Sequence, residues 1–295
     1  MLKHNLRKID ALQTITFERD PVPSPSRIAD VFAARQKQQQ MAFMPFLTAG
    51  DPDLAMTARL VEELSKAGAD LIEIGFPYSD PIADGPVIQA SYTRALGKKL
   101  QIPAIFSTLK PVAQKIKTPL VAMVSYAIIF RIGTLEFVRQ AADAGFAGLI
   151  VPDLPGDEAD EFQQLVTGSN MDLIQLIAPT TPPARSARIL KNASGFVYCI
   201  AVAGTTGARA ELAPQLADML KTLRTQTKLP LAVGFGLSRP DQVEQLRGLA
   251  DGAIVGSAIV KHLDELSADS GKADEVIRKL VQYAGSIAAA AHSSR

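Results

Sequence analysis

Short apolar runs alternate with amphipathic stretches along most of this chain. The runs predict eight strands: MAFMPFLT (41–48), DLIEIGF (70–76), PLVAMVS (119–125), GLIVP (148–152), DLIQLIAP (172–179), GFVYCIA (195–201), PLAVGF (230–235) and DGAIVGS (251–257). The stretches between them place apolar residues at helical spacing. TARLVEELSKAG and LEFVRQAADAG each close on a glycine, where a helix is expected to end. The long gap between the second and third strands has room for two helices, 86–97 and 104–116. Ahead of the first strand, RIADVFAARQKQQQ predicts one more helix, with Ser26 as its N-cap.

Strands that are apolar on both faces belong to parallel sheets covered by helices. Eight strand–helix units in about 250 residues match a (β/α)8 TIM barrel, here with an extra N-terminal helix. An open doubly wound sheet is the alternative. Its dinucleotide-binding form is disfavoured, because no G-x-G-x-x-G follows the first strand. Residues 1–26 mix charges with PVPSPS and read as a loosely ordered extension. Residues 27–295 read as one barrel domain, with no repeat or linker to mark a second.

Composition narrows the function. The chain has 295 residues, 47% hydrophobic, and a net charge of +1, so a basic nucleic-acid surface is not expected. No apolar run approaches the ~18 residues of a membrane span. Cys199 is the single cysteine and reads as a small core residue in a reducing compartment, which points to the cytoplasm. A plastid transit peptide fits poorly, since Asp10, Glu18 and Asp20 are out of character for one. His4, His262 and His292 do not stand with other ligand types at metal spacing, so no metal site is expected.

The candidate chemistry lies in DLIEIGFPYSDPIADGP, 70–86. Alternation puts Leu71, Glu73 and Gly75 on one strand face and Ile72 and Ile74 on the other. The β-branched pair suits the layer under the helices, so Glu73 would point into the barrel mouth, where TIM-barrel active sites sit. Desolvation there raises a carboxyl's pKa and makes it a general acid/base. The alternative is a Glu held by an Arg or Lys, although no other strand candidate contains either. Asp80 and Asp84 follow on a loop rich in Pro and Gly. Each is also ordinary turn chemistry, but one reaching the pocket would accept a hydrogen bond from substrate.

Three glycine-bearing loops follow the late strands: GTTG (204–207), GFGLS (234–238) and GSAIV (256–260), the last opening a helix. Close-approaching backbone N–H groups and a helix N-terminus make a phosphate cradle, and barrels often place one after strands seven and eight. There is no G-x-x-x-x-G-K-[ST] motif, which favours a sugar phosphate over a nucleoside triphosphate. Two acidic groups facing a phosphate cradle suggest proton-transfer chemistry on a phosphorylated substrate. Without a strand-borne lysine, Schiff-base aldolase chemistry is disfavoured.

PFLTAGDPD (45–53), IEIGFPYSDPIADGP (72–86), GLIVPDLP (148–155), APTTPP (178–183), AVGFGLSRPDQV (232–243) and DGAIVGSAIV (251–260) together resemble the tryptophan synthase alpha subunit. The resemblance implies a lyase that cleaves indole-3-glycerol phosphate to indole and glyceraldehyde 3-phosphate. It places the catalytic carboxylates on Glu73 and Asp84. It puts the phosphate at Gly207, Gly236, Gly256 and Ser257, Phe46 and Tyr198 around the indole site, and Thr206 in a loop that closes over substrate. It implies no cofactor in this chain, and a pyridoxal-phosphate-dependent beta subunit as partner in an alpha2-beta2 tetramer. Two other readings stay open: a free-standing lyase that releases indole, and a non-catalytic activator of a beta subunit. The chain departs from the family pattern in the loop after strand three, Ser125-Tyr126-Ala127-Ile128-Ile129-Phe130, where Ala127 replaces an asparagine. Ala201 and Thr205 replace a serine and a valine after strand six. In the family the strand-three loop meets the beta subunit.

Overall fold

A computed structural model describes residues 26–81, 84–201, 214–234, 236–268 and 270–294. Eight parallel strands close into a barrel in sequence order: β1 (Ala42–Thr48), β2 (Ile72–Gly75), β3 (Leu120–Met123), β4 (Phe146–Ile150), β5 (Asp172–Ile177), β6 (Val197–Ile200), β7 (Leu231–Gly234) and β8 (Gly252–Val255). Helix α1 (Arg27–Lys37) precedes them. Between the strands lie α2 (Leu54–Lys66), α3 (Pro86–Gly97), α4 (Ile102–Lys115), α5 (Tyr126–Ile132), α6 (Thr134–Asp143), α7 (Asp160–Gly168), α8 (Pro183–Lys191), α9 (Pro214–Gln226) and α10 (Pro240–Gln245). After β8 come α11 (Ser257–Ala268) and α12 (Ala273–His292). This is the (β/α)8 barrel that the apolar runs predict, with the extra N-terminal helix.

Two apolar layers explain the strand sequences. Ala42, Met44, Leu71, Val121, Ala147, Ile174, Ala232 and Ile254 fill the barrel interior. Leu47, Ile72, Ile74, Ala122, Leu149 and Val233 face outward under the helices. The interior is closed at its N-terminal end by α1, which sends Ile28 and Phe32 into it; Phe32 packs on Phe196 with ring centroids 5.6 Å apart. Each such side chain contributes roughly 1.5–3 kcal/mol by leaving water. Ser26 caps α1 by accepting the Ala29 N–H at 3.1 Å, and its hydroxyl donates to Asp172 at the foot of β5. Asp70 ties three elements together below β2: it accepts from Arg35 of α1 at 2.7 Å, from the Phe43 N–H at 2.8 Å, and meets His292 of α12 at 2.7 Å.

The observed elements differ from the predicted ones mainly in extent. Helix α1 stops at Lys37, because Gln39 adopts a left-handed φ of 58°. Gly68 and Gly145 take φ of 100° and 86° just past α2 and α6, which a helix end of that kind requires. Strand β4 begins at Phe146, two residues earlier than the apolar run suggests. A larger correction falls after β3. Residues read as a loop from Ser125 to Phe130 form a capped helix, α5. Ser125 Oγ accepts the Ala127 N–H at 3.2 Å, while Asp153, beyond β4, accepts Ser125 Oγ–H at 2.6 Å and the Tyr126 N–H at 2.7 Å. YAIIFRI spans seven residues, too short a window for a helical period to stand out.

Candidate active site

Glu73 lies in register with Phe46 of β1 and Val121 of β3. Residues paired in register on parallel strands share a face, and Val121 lines the interior, so Glu73 points into the barrel. It is 1% exposed, and neither carboxyl oxygen has a hydrogen-bond partner. The alternative of a Glu held by Arg or Lys is therefore set aside. Burial pushes its pKa up to about 8, so the group is protonated at neutral pH.

Asp84 sits two residues before α3. Its N–H donates to the Pro81 carbonyl at 3.0 Å, and its own carbonyl accepts Gln89 Nε2 at 2.8 Å, which folds the loop onto the first turn of α3. Its half-buried carboxyl is pushed up to about 6 by desolvation, against the pull of a hydrogen bond from Tyr78. Asp80 is exposed and accepts only the neighbouring Ser79 hydroxyl at 3.1 Å, as a turn residue does.

Aromatic rings enclose the two carboxyls. Tyr78 and Tyr92 meet with centroids 5.6 Å apart. Tyr92, from α3, and Tyr198, from β6, are both buried, and both hydroxyls are held far from ionising, first by desolvation and then by the charges of Glu73 and Asp84. Glu73 and Asp84 thus both lie within electrostatic reach of the same two tyrosines. Gly75 leaves room for this packing: a Cβ there would run into the Phe46 ring and lie 2.8 Å from Tyr92 Oη. A Cβ at Gly234 would similarly strike the Tyr198 ring. Strand pattern alone does not reveal Tyr78 and Tyr92. Tyr92 is one apolar position among several on α3, and only its reach over β2 brings it to the carboxyls.

The loops after β7 and β8 lie at the same end. Gly256 is next to Phe46, with 3.7 Å between an added Cβ and the Phe46 Cβ. Its carbonyl accepts the Ile259 and Val260 N–H groups at 2.9 and 3.0 Å. That makes it the N-cap of α11 and leaves the Ser257 and Ala258 N–H groups without helical partners. Ser257 is exposed. Gly236, in the loop after β7, holds φ at 83°. That loop is braced from behind. Gln242 Oε1 accepts the Ser238 and Arg239 N–H groups at 2.9 and 3.1 Å, and Tyr283 Oη donates to the Ser238 carbonyl at 2.9 Å. Thr206 and Gly207, with Thr205, lie outside the described residues.

Among the described residues, no group of three or more His, Cys, Asp or Glu is placed to hold a metal. Cys199 is buried in β6, and His262 packs on Tyr283 with ring centroids 5.6 Å apart. A groove of about 290 Å³ at the opposite barrel end gathers Gln36, Gln39, Arg224 and Lys228. Its Arg224 is paired with Asp251, Gln40 accepts from Arg35, and Gln36, Gln39 and Lys228 are exposed, so it lacks the unpartnered desolvated groups found at the mouth.

The sequence family is decided by how far the matches extend. The family model for the tryptophan synthase alpha chain matches residues 32–292. The chain belongs to the tryptophan synthase alpha chain family. A relative of that name from Gloeobacter violaceus is 45% identical over 81% of this chain and 87% of its own. One from Chloroflexus aggregans is 44% identical over 87% of this chain and 97% of its own. Among solved structures, tryptophan synthase of Mycobacterium tuberculosis has a chain with TM-score 0.82 and 31% identity, covering 92% of this chain and all of that one. Tryptophan synthase subunit alpha from Legionella pneumophila gives TM-score 0.82 and 31% identity over 90% of this chain and 98% of its own. The family match spans every candidate site residue, from Phe46 to Ser257.

Proposed function

We propose that Glu73 and Asp84 carry the alpha reaction in this chain. The chain is a lyase of tryptophan biosynthesis: it cleaves indole-3-glycerol phosphate to indole and glyceraldehyde 3-phosphate. The observation that carries the assignment of roles is the buried, unpartnered Glu73 carboxyl, together with a second, half-buried carboxyl, Asp84, whose pKa is raised less. Protonated Glu73 donates to indole C3, which leaves positive charge on the ring nitrogen. Ionised Asp84 accepts the ring N–H and stabilises that charge, an interaction strongest in the charged intermediate. Glu73, now a carboxylate, takes the proton of the side-chain hydroxyl next to the ring. The carbon–carbon bond electrons return to the ring, and the hydroxyl carbon leaves as an aldehyde. Glu73 ends protonated, ready for another turn.

Phe46 and Tyr198 flank the ring, while Gly236, Gly256, Ser257 and Gly207 bind the phosphate by N–H groups and the Ser257 hydroxyl. Thr206 belongs to the closing loop. We assign no cofactor to this chain and place pyridoxal phosphate in a beta subunit that consumes the indole, in an alpha2-beta2 tetramer. The α5–α6 edge supports such a partner, since Phe130 is 74% exposed and Leu135 56% exposed beside the exposed Ala127. A lone buried cysteine is in keeping with the cytoplasm. No helix among the described residues is long and apolar enough to cross a membrane. The readings as a free-standing lyase or a non-catalytic activator are not favoured. The test is indole release by Glu73→Gln and Asp84→Asn, both near-isosteric. Each should lose at least ~100-fold in turnover, and wild-type rates from either would remove that residue from the mechanism.

A further inference from the structure

We propose that Thr48 is a substrate-binding residue whose hydroxyl holds a hydroxyl of the three-carbon chain joining ring and phosphate. The proposal rests on the lyase reading above. Thr48 ends β1 and pairs with Gly75 at the end of β2. Alternation along β1 places Ala42, Met44, Phe46 and Thr48 on one face, and Ala42 and Met44 line the barrel interior. Thr48 therefore faces the mouth, two residues beyond Phe46.

Its hydroxyl is out of place for a purely structural residue. Thr48 is 1% exposed, and Oγ1 has no hydrogen-bond partner. Of five such orphaned side-chain atoms among the described residues, three are Thr48 Oγ1 and the two Glu73 carboxyl oxygens. They lie on adjacent strands, two register steps apart. A buried hydroxyl without a partner destabilises the fold, and valine would fill the same space without that cost. A ligand that completes the hydrogen bonding resolves the mismatch.

Position identifies the part of the ligand. Strand β1 lies between β8, which leads into the α11 N-terminus, and β2, which carries Glu73. Phe46 reaches both sides, meeting Gly75 and Gly256. A substrate with its phosphate at α11 and its ring at Glu73 must carry its linker across β1. The linker of indole-3-glycerol phosphate bears hydroxyls, and a threonine hydroxyl can donate to and accept from them.

The test compares wild type, Thr48→Val and Thr48→Ser on two ligands. One is indole-3-glycerol phosphate. The other is 3-(indol-3-yl)propyl phosphate, which keeps ring and phosphate but lacks the linker hydroxyls. Thr48→Val should lower kcat/KM for indole-3-glycerol phosphate about tenfold, equivalent to ~1.4 kcal/mol. Thr48→Ser should stay within about threefold of wild type. Affinity for the propyl phosphate should be the same in all three within about twofold. Unchanged kcat/KM in Thr48→Val would overturn the proposal, as would an equal loss of affinity for the propyl phosphate, which would mark a packing role. A wild type that binds the propyl phosphate but releases no indole would instead overturn the lyase reading, and this assignment with it.

Discussion

Replacing Glu73 with glutamine should stabilise the barrel at neutral pH while removing its chemistry. The carboxyl is 1% exposed with no partner, and its pKa rises from 4.5 to about 8 on folding. Between those values the folded chain holds a proton that the unfolded chain releases. Wild-type stability therefore falls as pH rises through that window, and is fully retained only below the unfolded value. At pH 7 the loss amounts to roughly 3 kcal/mol. Glutamine has nearly the same shape and does not ionise, so it escapes the loss. Urea unfolding of both proteins from pH 5 to 9 measures the difference. The midpoints should lie close together at pH 5, separate steadily towards pH 8, and stay parallel above it. Indole release by the variant should be down at least ~100-fold throughout. A midpoint gap that does not change with pH would show that Glu73 titrates normally in the folded barrel, and would refute the desolvation argument.

Lyase rate against pH should be bell-shaped, because Asp84 must be ionised, above about 6, and Glu73 protonated, below about 8. A flat profile from pH 5 to 9 would contradict these roles, and Asp84→Asn should abolish the acid limb. Gly236 holds φ at 83°, which valine resists, so Gly236→Val should strain the loop and crowd the phosphate. Its KM for indole-3-glycerol phosphate should rise, with little change for an analogue without phosphate. Ala127 is exposed on α5 and offers no side-chain hydrogen bond. One interface hydrogen bond is worth ~0.5–1.5 kcal/mol, against ~1–3 kcal/mol for a typical coupling between sites. Ala127→Asn should therefore increase activation by the beta subunit and leave the basal rate unchanged; titrating the cognate subunit against rate checks this.

The barrel was legible because its strands bury both faces, so each shows as an apolar run whatever its register. Glu73 was legible for the same reason, as a carboxylate in the middle of the apolar run DLIEIGF. Helix α5 was not, since it is held by Asp153 from the neighbouring loop rather than by its own periodicity. Tyr78, Tyr92 and Thr48 were also missed. A tyrosine on a helix or in a loop and a threonine at a strand end are common in cores. What distinguishes these is proximity across strands: Tyr92 reaches over Gly75, and Thr48 stands two register steps beyond Phe46 and Glu73. The Gln242 and Tyr283 braces are separated in sequence from the loop face they support. The glycines at 236 and 256 were visible as a group, but only the helix that follows Gly256 shows where its N–H groups point.

On the proposed roles, this chain cleaves indole-3-glycerol phosphate with Glu73 as its acid and base. The most direct measurement is indole release by the purified chain, wild type and Glu73→Gln side by side, alone and with a beta subunit added. Slow release is expected from the wild type alone, faster release with the partner, and loss of at least ~100-fold in the variant under both conditions. Indole released at the wild-type rate by Glu73→Gln, or none released by the wild type with its partner, would contradict it.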